Sequence, residues 1–495
     1  MNRKFDDLIF YEIYPTSFYD SNNDGIGDLK GIEAKLDYVK ELGCNAIWLN
    51  PFYKSPFKDG GYDIEDFFEV DPRFGTMDDF KSLLNKAHKL GIKIIIDLVA
   101  GHSSEDNPIF RKSAEPKRNE YSDLFIWNDN IWSLQPGYRL ISGRYDRCAC
   151  YLVNFFEHQP AFNFGFNRIE YPSWQLSYKD KRTYLAREYL LKIMRFYLGM
   201  GVDGFRVDMA DSLVKNDDNK EATIEVWNYL FDIIKKEYPD SFFVSEWSNP
   251  EQSFKAGFDC DFVLDHWDNF FHRLVRSGSY SRGDALLNGG DIEFFKEDLK
   301  RREEISKKYN RYLGVISGNH DTTRIANYVY EQKLRLFYLF QFSIPGIPFI
   351  YYGDEIGMKF VDLDSKDGGY QRTGTRTPMQ WDASKNAGFS LTNKDLYLPV
   401  FLASKVNVAE EVKKEDSLYH FIKKLIAIRK EEKYLSNLAV FEQKEEGRVL
   451  IIDRGEAKLV MNFSDKNIEL KGEVIISTSP KKEFLLPYSG ALVRK

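Results

Sequence analysis

Apolar and β-branched residues come in short continuous runs along most of the chain, alternating with stretches whose apolar positions fall at helical spacing. Ile9-Phe-Tyr-Glu-Ile-Tyr-Pro15, Ala46-Ile-Trp-Leu-Asn50 and Lys93-Ile-Ile-Ile-Asp-Leu-Val99 read as strands. The third is apolar on both faces, as a parallel strand covered by helices must be. Between the last two, Phe80, Leu83, Leu84 and Ala87 form one helical stripe. Thr76, with Asp79 three residues on, marks its start, and Gly91 marks its end. The rhythm returns with a helix near 184–198, a strand to Asp208, a helix carrying Ile224, Trp227, Leu230 and Ile234, and a strand to Glu246. Runs at 312–317 and 349–352 bring the strand count close to eight. Repeated βα units of this kind imply a parallel sheet, and eight of them a (β/α)8 TIM barrel. A doubly wound open sheet competes, but no Gly-rich phosphate turn follows the first strand.

From about Ser103 to Trp174 the alternation breaks. That segment is rich in Asn, Pro, aromatic and charged residues and is too long for an ordinary βα loop, so it reads as an inserted subdomain. After a helix near 418–430 the pattern changes again. Val449-Leu-Ile-Ile-Asp453, Lys458-Leu-Val-Met461 and Glu473-Val-Ile-Ile-Ser477, split by Gly, Asn and Asp, predict a small antiparallel β-sandwich. The expected domains are therefore a catalytic barrel over 1–102 and 175–436, an insertion over 103–174, and a C-terminal domain over 437–495.

Composition narrows the function. A formal charge of −7 over 495 residues argues against nucleic acid as a partner. No window approaches the length of a membrane span, and the N-terminus has no signal-like apolar stretch. Cys44, Cys148, Cys150 and Cys260 are scattered, without metal spacing, which fits free thiols in a reducing cytoplasm.

The chemistry lies where strands end. Gly204-Phe-Arg-Val-Asp208, Phe242-Phe-Val-Ser-Glu246 and Gly318-Asn-His-Asp321 each stop an apolar or β-branched run at a carboxylate. A charge in that position is costly unless it faces a solvated site. Three such positions predict one acid-lined mouth, and glycosidic bond cleavage is the reaction that most needs paired carboxylates. Asp208 is the candidate nucleophile, with Arg206 two residues earlier on the same face to keep it ionised. Glu246, followed by Trp247, suits the proton donor. His320 and Asp321 offer a hydroxyl partner and a third acid. Asp97 is placed to orient neighbouring Arg or Tyr side chains, and His102 to bond substrate. A structural Arg–Asp pair at a strand end and a helix-capping Asp321 are the plainer alternatives.

Asp20-Ser-Asn-Asn-Asp24-Gly-Ile-Gly-Asp28 alternates oxygen-bearing side chains around glycines. Asp20, Asn22, Asp24, the Ile26 carbonyl and Asp28 could ring one Ca²⁺, although Gly31 stands where an EF-hand has its bidentate Glu. An Asx-rich turn without metal is the alternative. No organic cofactor is expected.

Together these segments resemble the α-amylase superfamily, glycoside hydrolase family 13, from about Tyr11 to Lys430. Asp97-Leu-Val-Ala-Gly-His102, Gly204–Asp208, Glu246 and Asn319-His-Asp321 resemble its four signature regions in order. The resemblance implies Asp208 as nucleophile, Glu246 as acid/base and Asp321 as the carboxylate that holds and distorts the sugar, with Arg206, His102 and His320 binding it. The oligo-1,6-glucosidase and α-glucosidase branch is most similar. Gly61-Tyr-Asp-Ile64 resembles the segment in which Tyr62 stacks under the sugar and Asp63 binds its hydroxyls. Arg372-Thr-Gly-Thr-Arg376-Thr-Pro-Met-Gln-Trp381 resembles its Arg-bearing loop, with Arg376 reaching the same sugar, and Gln159-Pro-Ala-Phe-Asn163 its fifth region. The 20–28 loop is similar to its calcium site. Gly101 replaces the family's Asn, Ala161-Phe162 replace Asp-Leu, and Met209 follows the nucleophile where the branch has Val, Ala or Thr. The resemblance implies retaining hydrolysis of terminal α-glucosidic bonds in malto- or isomalto-oligosaccharides. An α-glucosyl transferase or isomerase (trehalose synthase, sucrose isomerase or glucanotransferase-like), an endo-acting α-amylase and a non-catalytic relative are the rivals. Linkage and oligomeric state stay open.

Overall fold

The computed structural model describes residues 4–132, 135–264, 269–276, 284–368, 372–401, 405–438, 441–481 and 483–495. Eight parallel strands close into a barrel: β1 (Phe10–Ile13), β2 (Ala46–Leu49), β3 (Lys93–Val99), β4 (Gly204–Asp208), β5 (Phe242–Ser245), β6 (Cys260–Val263), β7 (Tyr312–Ile316) and β8 (Ile347–Tyr351). Neighbours pair in sequence order around the ring and β1 closes on β8, as right-handed βα crossovers require. β6 has no counterpart among the runs read from sequence. It is four residues long, and acids at 259 and 261 interrupt its apolar pattern. Lys235 neutralises Asp259 at 2.9 Å, and the Ser245 hydroxyl donates to Asp261 at 2.7 Å, so both acids are accommodated beside the barrel wall.

Aromatic side chains fill the barrel interior. Phe10 stacks on Phe349 with ring centroids 4.5 Å apart, and Phe262 meets Phe349 edge-on at 4.8 Å. The helices follow from their stripes and caps. In Met77–Lys89 the Thr76 side chain accepts from Asp79 N while the Asp79 carboxylate accepts from Thr76, a reciprocal cap worth about 1 kcal/mol. Phe80, Leu83, Leu84 and Ala87 are its buried face.

Between β3 and β4 the chain leaves the barrel and forms a small three-stranded antiparallel sheet from Trp127–Asn128, Cys150–Leu152 and Leu140–Ser142. It returns through an antiparallel bridge of His102 with Ala161, which fixes the insertion against the end of β3. The C-terminal part is a five-stranded antiparallel sheet of β9 (Glu442–Glu446), β10 (Val449–Asp453), β11 (Ala457–Asn462), β12 (Glu473–Ser477) and β13 (Ser489–Arg494), in the order β9-β10-β11-β13-β12. One face joins the main core beside helix Glu331–Ser343, and a two-stranded ribbon of Ile468–Glu469 and Phe484–Leu485 adds to the other.

Candidate active site

Arg206 is the hub of the barrel mouth. Register pairs Arg206 with Asp97 across β3 and β4, and with Val244 on β5. Side chains at adjacent paired positions share a face, so Asp97 and Arg206 meet. Arg206 Nη1 lies 2.5 Å from Asp97 Oδ1 and 3.0 Å from Asp208 Oδ1, and Nη2 lies 2.9 Å from Glu246 Oε2. The guanidinium is almost fully buried. Burial works against its charge, but Asp97, Glu246, Tyr62 and Asp208 outweigh that and hold it protonated. Burial pushes the Asp208 carboxyl up; Arg206 pulls it down, and Glu246 and Asp97 push it up again. One cation thus serves carboxylates on both sides of the mouth. Asp97 also accepts from Trp48 Nε1 at 2.8 Å and from the Tyr62 hydroxyl at 3.1 Å, which identifies it as the anchor of the cluster.

β7 delivers the third acid. The sequence turns sharply after Ser317, and Asp321 receives Arg372 Nη1 at 2.9 Å and Arg376 Nη2 at 2.8 Å, both on Oδ1. Burial opposes the Asp321 charge, but the neighbouring His320 and then Arg372, Arg376 and Arg206 overcome it and hold the carboxyl far below the usual range. Asp208, Glu246 and Asp321, with Tyr62 and His102, border one cavity of ≈ 500 Å³. Met209, Phe155, Trp247 and Leu264 supply its apolar wall.

Two expected sugar contacts, Asp63 and Arg376, are buried and not among the lining residues. Asp63 is fully buried, and its carboxylate accepts from Lys58 N and Asp59 N, each at 3.0 Å, and from the Ser55 hydroxyl at 3.1 Å. It knits the 55–63 loop, and burial pushes it up to about 7. The cavity-lining acid from this loop is Asp59, four residues earlier. Arg376 is likewise buried, donating to the His320 carbonyl at 2.8 Å and to Asp321. The lining guanidinium is Arg372, which joins Asp59 Oδ1 at 2.8 Å to Asp321. Gly60, at φ +56°, makes this packing possible, because a Cβ there would meet Arg376 Nη1 at 2.3 Å. Of these two acids and two guanidiniums, Asp59 and Arg372 line the cavity. The repeated Arg in Arg372-Thr-Gly-Thr-Arg376 was the signal for one of them; nothing in the sequence ranked Asp59 over Asp63. His102 lines the cavity, with Nε2 3.0 Å from the Tyr62 carbonyl and Nδ1 3.1 Å from Asn154 Nδ2. Burial pushes its pKa down to about 3, so the ring is neutral.

At Gly101 a Cβ would lie 2.8 Å from Asn154 Nδ2, so the insertion's Asn154 fills the space that a side chain at 101 would take. Lys215 Nζ donates to Asn154 Oδ1 at 2.7 Å and to the Ser212 carbonyl at 2.6 Å. Burial pulls this ammonium down to about 7.

In the 20–28 loop, Asp20 accepts from Asn23 N at 2.7 Å and Gly25 N at 2.8 Å. Asn22 accepts from Asp24 N, and Asp24 from Ile26 N, each at 2.9 Å. Asp28 caps helix Leu29–Ala34 through Gly31 N at 2.7 Å. These successive Asx turns curl the chain around an all-oxygen donor set, which fits a hard cation in kind. Among the described residues, however, no group of three or more His, Cys, Asp or Glu side chains is arranged to hold a metal ion.

The α-amylase catalytic-domain family matches residues 12–437. Trehalose synthase/amylase TreS of Mycolicibacterium smegmatis is 33% identical over 473 residues, covering 86% of this chain and 76% of that protein. Oligo-1,6-glucosidase of Parageobacillus thermoglucosidasius is 30% identical over 494 residues, covering 86% and 83%. Among solved structures, the trehalulose synthase MutB from Pseudomonas mesoacidophila MX-45 superposes with a TM-score of 0.83 at 25% identity, covering 99% of each chain.

Proposed function

Because the chain belongs to the α-amylase family and is an enzyme of the glycosidase type, we propose that it cleaves terminal α-glucosidic bonds of malto- or isomalto-oligosaccharides with retention of configuration. The observation that carries this reading is the shared guanidinium. Arg206 holds Asp208 and Glu246 within hydrogen-bond range of one group, at the edge of one cavity. That compactness suits the roughly 5 Å carboxyl spacing of double displacement rather than the wider gap of inversion. Asp208 attacks the anomeric carbon and displaces the leaving oxygen, which takes its proton from Glu246. Glu246 then removes a proton from water, which breaks the glucosyl–Asp208 ester. Asp59, Arg372 and Asp321 grip the sugar at the closed end, which favours chain ends over mid-chain cutting. NMR of the first-formed anomer tests the proposal: α-glucose from an α-glucoside supports it, and β-glucose overturns it.

Transfer or isomerisation is the second reading, favoured by the apolar wall of Phe155, Trp247, Leu264 and Met209. Such a wall seats a sugar acceptor and limits water. TreS carries a synthase name, and a MutB variant has been solved with the substrate sucrose. New disaccharides accumulating at high sugar concentration select this reading, and glucose alone selects hydrolysis. We also propose that the 20–28 loop takes Ca²⁺ as a structural ion, supported by its oxygen-only donors. The four free thiols favour a reducing cytoplasm as the setting.

A further inference from the structure

Glu12, on β1, is a buried carboxylate with no part in the proposed proton transfers. Glu12 Oε1 lies 2.8 Å from His320 Nδ1 and 3.4 Å from His320 N, whereas Oε2 has no hydrogen-bond partner. A half-satisfied buried acid is expensive, and a fold that keeps one at the barrel mouth needs a reason. The ring it touches is otherwise held by its faces. Tyr62 stacks on His320 with centroids 5.1 Å apart and an interplanar angle of 8°, and Tyr14 lies parallel at 6.3 Å and 2°. Trp48 closes the edge at 5.8 Å. Nε2 alone lacks a hydrogen-bond partner; it is buried, 3.4 Å from Oδ2 of the cavity-lining Asp321.

We propose that Glu12 is a positioning residue that fixes His320 as the Nδ1–H tautomer, so that Nε2 presents a lone pair and accepts a hydrogen bond from a hydroxyl of the bound sugar. Identifying the ligand as a sugar rests on the function proposed above; the tautomer does not. Asn50 Nδ2, 3.1 Å from His320 Nδ1, is the competing group. If it controlled the ring, Nδ1 would accept and Nε2–H would donate. Glu12 is closer, and its Oε1 also accepts from the His320 main-chain N–H, so it meets Nδ1 as an acceptor even though burial pushes its carboxyl up. Burial and the Arg376, Arg206 and Arg372 charges keep the imidazole neutral against the pull of Asp321, so both nitrogens cannot carry protons at once. Asp321 and His320 then both accept from the sugar, and specificity comes from hydroxyls placed to donate to each.

The test uses the full-length protein labelled with ¹⁵N-histidine, the His320 signals being assigned by their loss in His320→Gln. Wild-type His320 is expected to show a protonated Nδ1 and an unprotonated Nε2. Glu12→Gln keeps an oxygen beside Nδ1 and should keep both that pattern and a kcat/KM for p-nitrophenyl α-glucoside within about threefold of wild type. Glu12→Leu removes the acceptor. Asn50 should then capture the ring, Nε2 should become protonated, and kcat should fall by roughly 10–100-fold, the usual loss when the partner orienting a functional His is removed. A protonated Nε2 in the wild type overturns the proposal. So does a folded Glu12→Leu with unchanged kcat, or a Glu12→Gln loss as large as that of Glu12→Leu. Should Glu12→Leu fail to fold, the wild-type signals and Glu12→Gln decide. If no glucoside is turned over, the nitrogen signals still decide the tautomer, separating this failure from that of the proposed function.

Discussion

The main-chain N–H of Met209 donates to Glu246 Oε2 at 2.9 Å, tying the residue after β4 to the carboxyl after β5. Met209 adopts the left-handed region at φ 41° and ψ 46°, and this conformation turns its N–H toward the mouth. Its side chain meanwhile lines the cavity, with Sδ 3.9 Å from Asn154 Nδ2. Main chain and side chain therefore have separable roles.

Met209→Ala keeps the N–H and removes only the wall. Turnover of an activated aryl glucoside should change by less than about threefold, because the bond to Glu246 survives. The ratio of kcat/KM for maltose over isomaltose should shift by roughly 10-fold, the scale of lost apolar contact in a sugar-sized pocket. Steady-state kinetics on the two disaccharides check both.

Asp208→Asn removes the proposed nucleophile while leaving an oxygen beside Arg206. A loss in kcat of about 10⁴-fold or more is expected. Folding should persist, because Asp97 and Glu246 still compensate the guanidinium. Thermal unfolding alongside single-turnover kinetics separates lost chemistry from lost structure.

Asp59 and Asp63 make a contrasting pair. Asp59→Ala opens the Arg372 link at the cavity and should raise KM and lower kcat/KM with a modest change in stability. Asp63→Ala leaves the Lys58 and Asp59 N–H groups and the Ser55 hydroxyl without their acceptor. It should cost about 1–3 kcal/mol in urea unfolding.

Glu355 gives a pH signature. Tyr11 and Tyr38 donate to its Oε1 at 2.7 and 2.6 Å, Oε2 has no partner, and burial pushes the carboxyl up to about 7. A carboxyl raised above its unfolded value binds its proton more tightly in the folded protein. Its stabilisation is complete below an unfolded pKa of about 4.3 and is lost as pH rises toward 7, at up to about 1.4 kcal/mol per pH unit. Glu355→Gln cannot titrate. Relative to this variant, wild-type stability should decline between those two values, as read from urea midpoints at several pH values.

Calcium removal tests the 20–28 loop. EDTA should lower Tm and added Ca²⁺ restore it, by an amount that grows with the logarithm of free Ca²⁺. Asp24→Ala should abolish the response. An EDTA-insensitive Tm would leave the loop as a set of Asx turns.

The barrel was legible because β3 and β4 are long enough to show their apolar character and because Thr76 with Asp79 announces a helix unaided. The i,i+2 spacing of Arg206 and Asp208 likewise forces them onto one face. What escaped was set by distant partners. β6 and the residue before it carry acids that distant partners such as Lys235, Arg311 and Ser245 make tolerable. The choice of Asp59 over Asp63 depends on how Arg372 and Arg376 pack, and the Glu12–His320 contact joins residues 308 positions apart. Local periodicity carries no information about such meetings.

The ammonium of Lys215, wedged between Asn154 and the Ser212 carbonyl, clamps the insertion to the barrel with a covalently attached cation. Such a seam has no ion to lose by dilution or sequestration. Its weakness is alkali, which strips the proton from a base already poised near neutrality and loosens the insertion without touching the carboxylates at the strand ends.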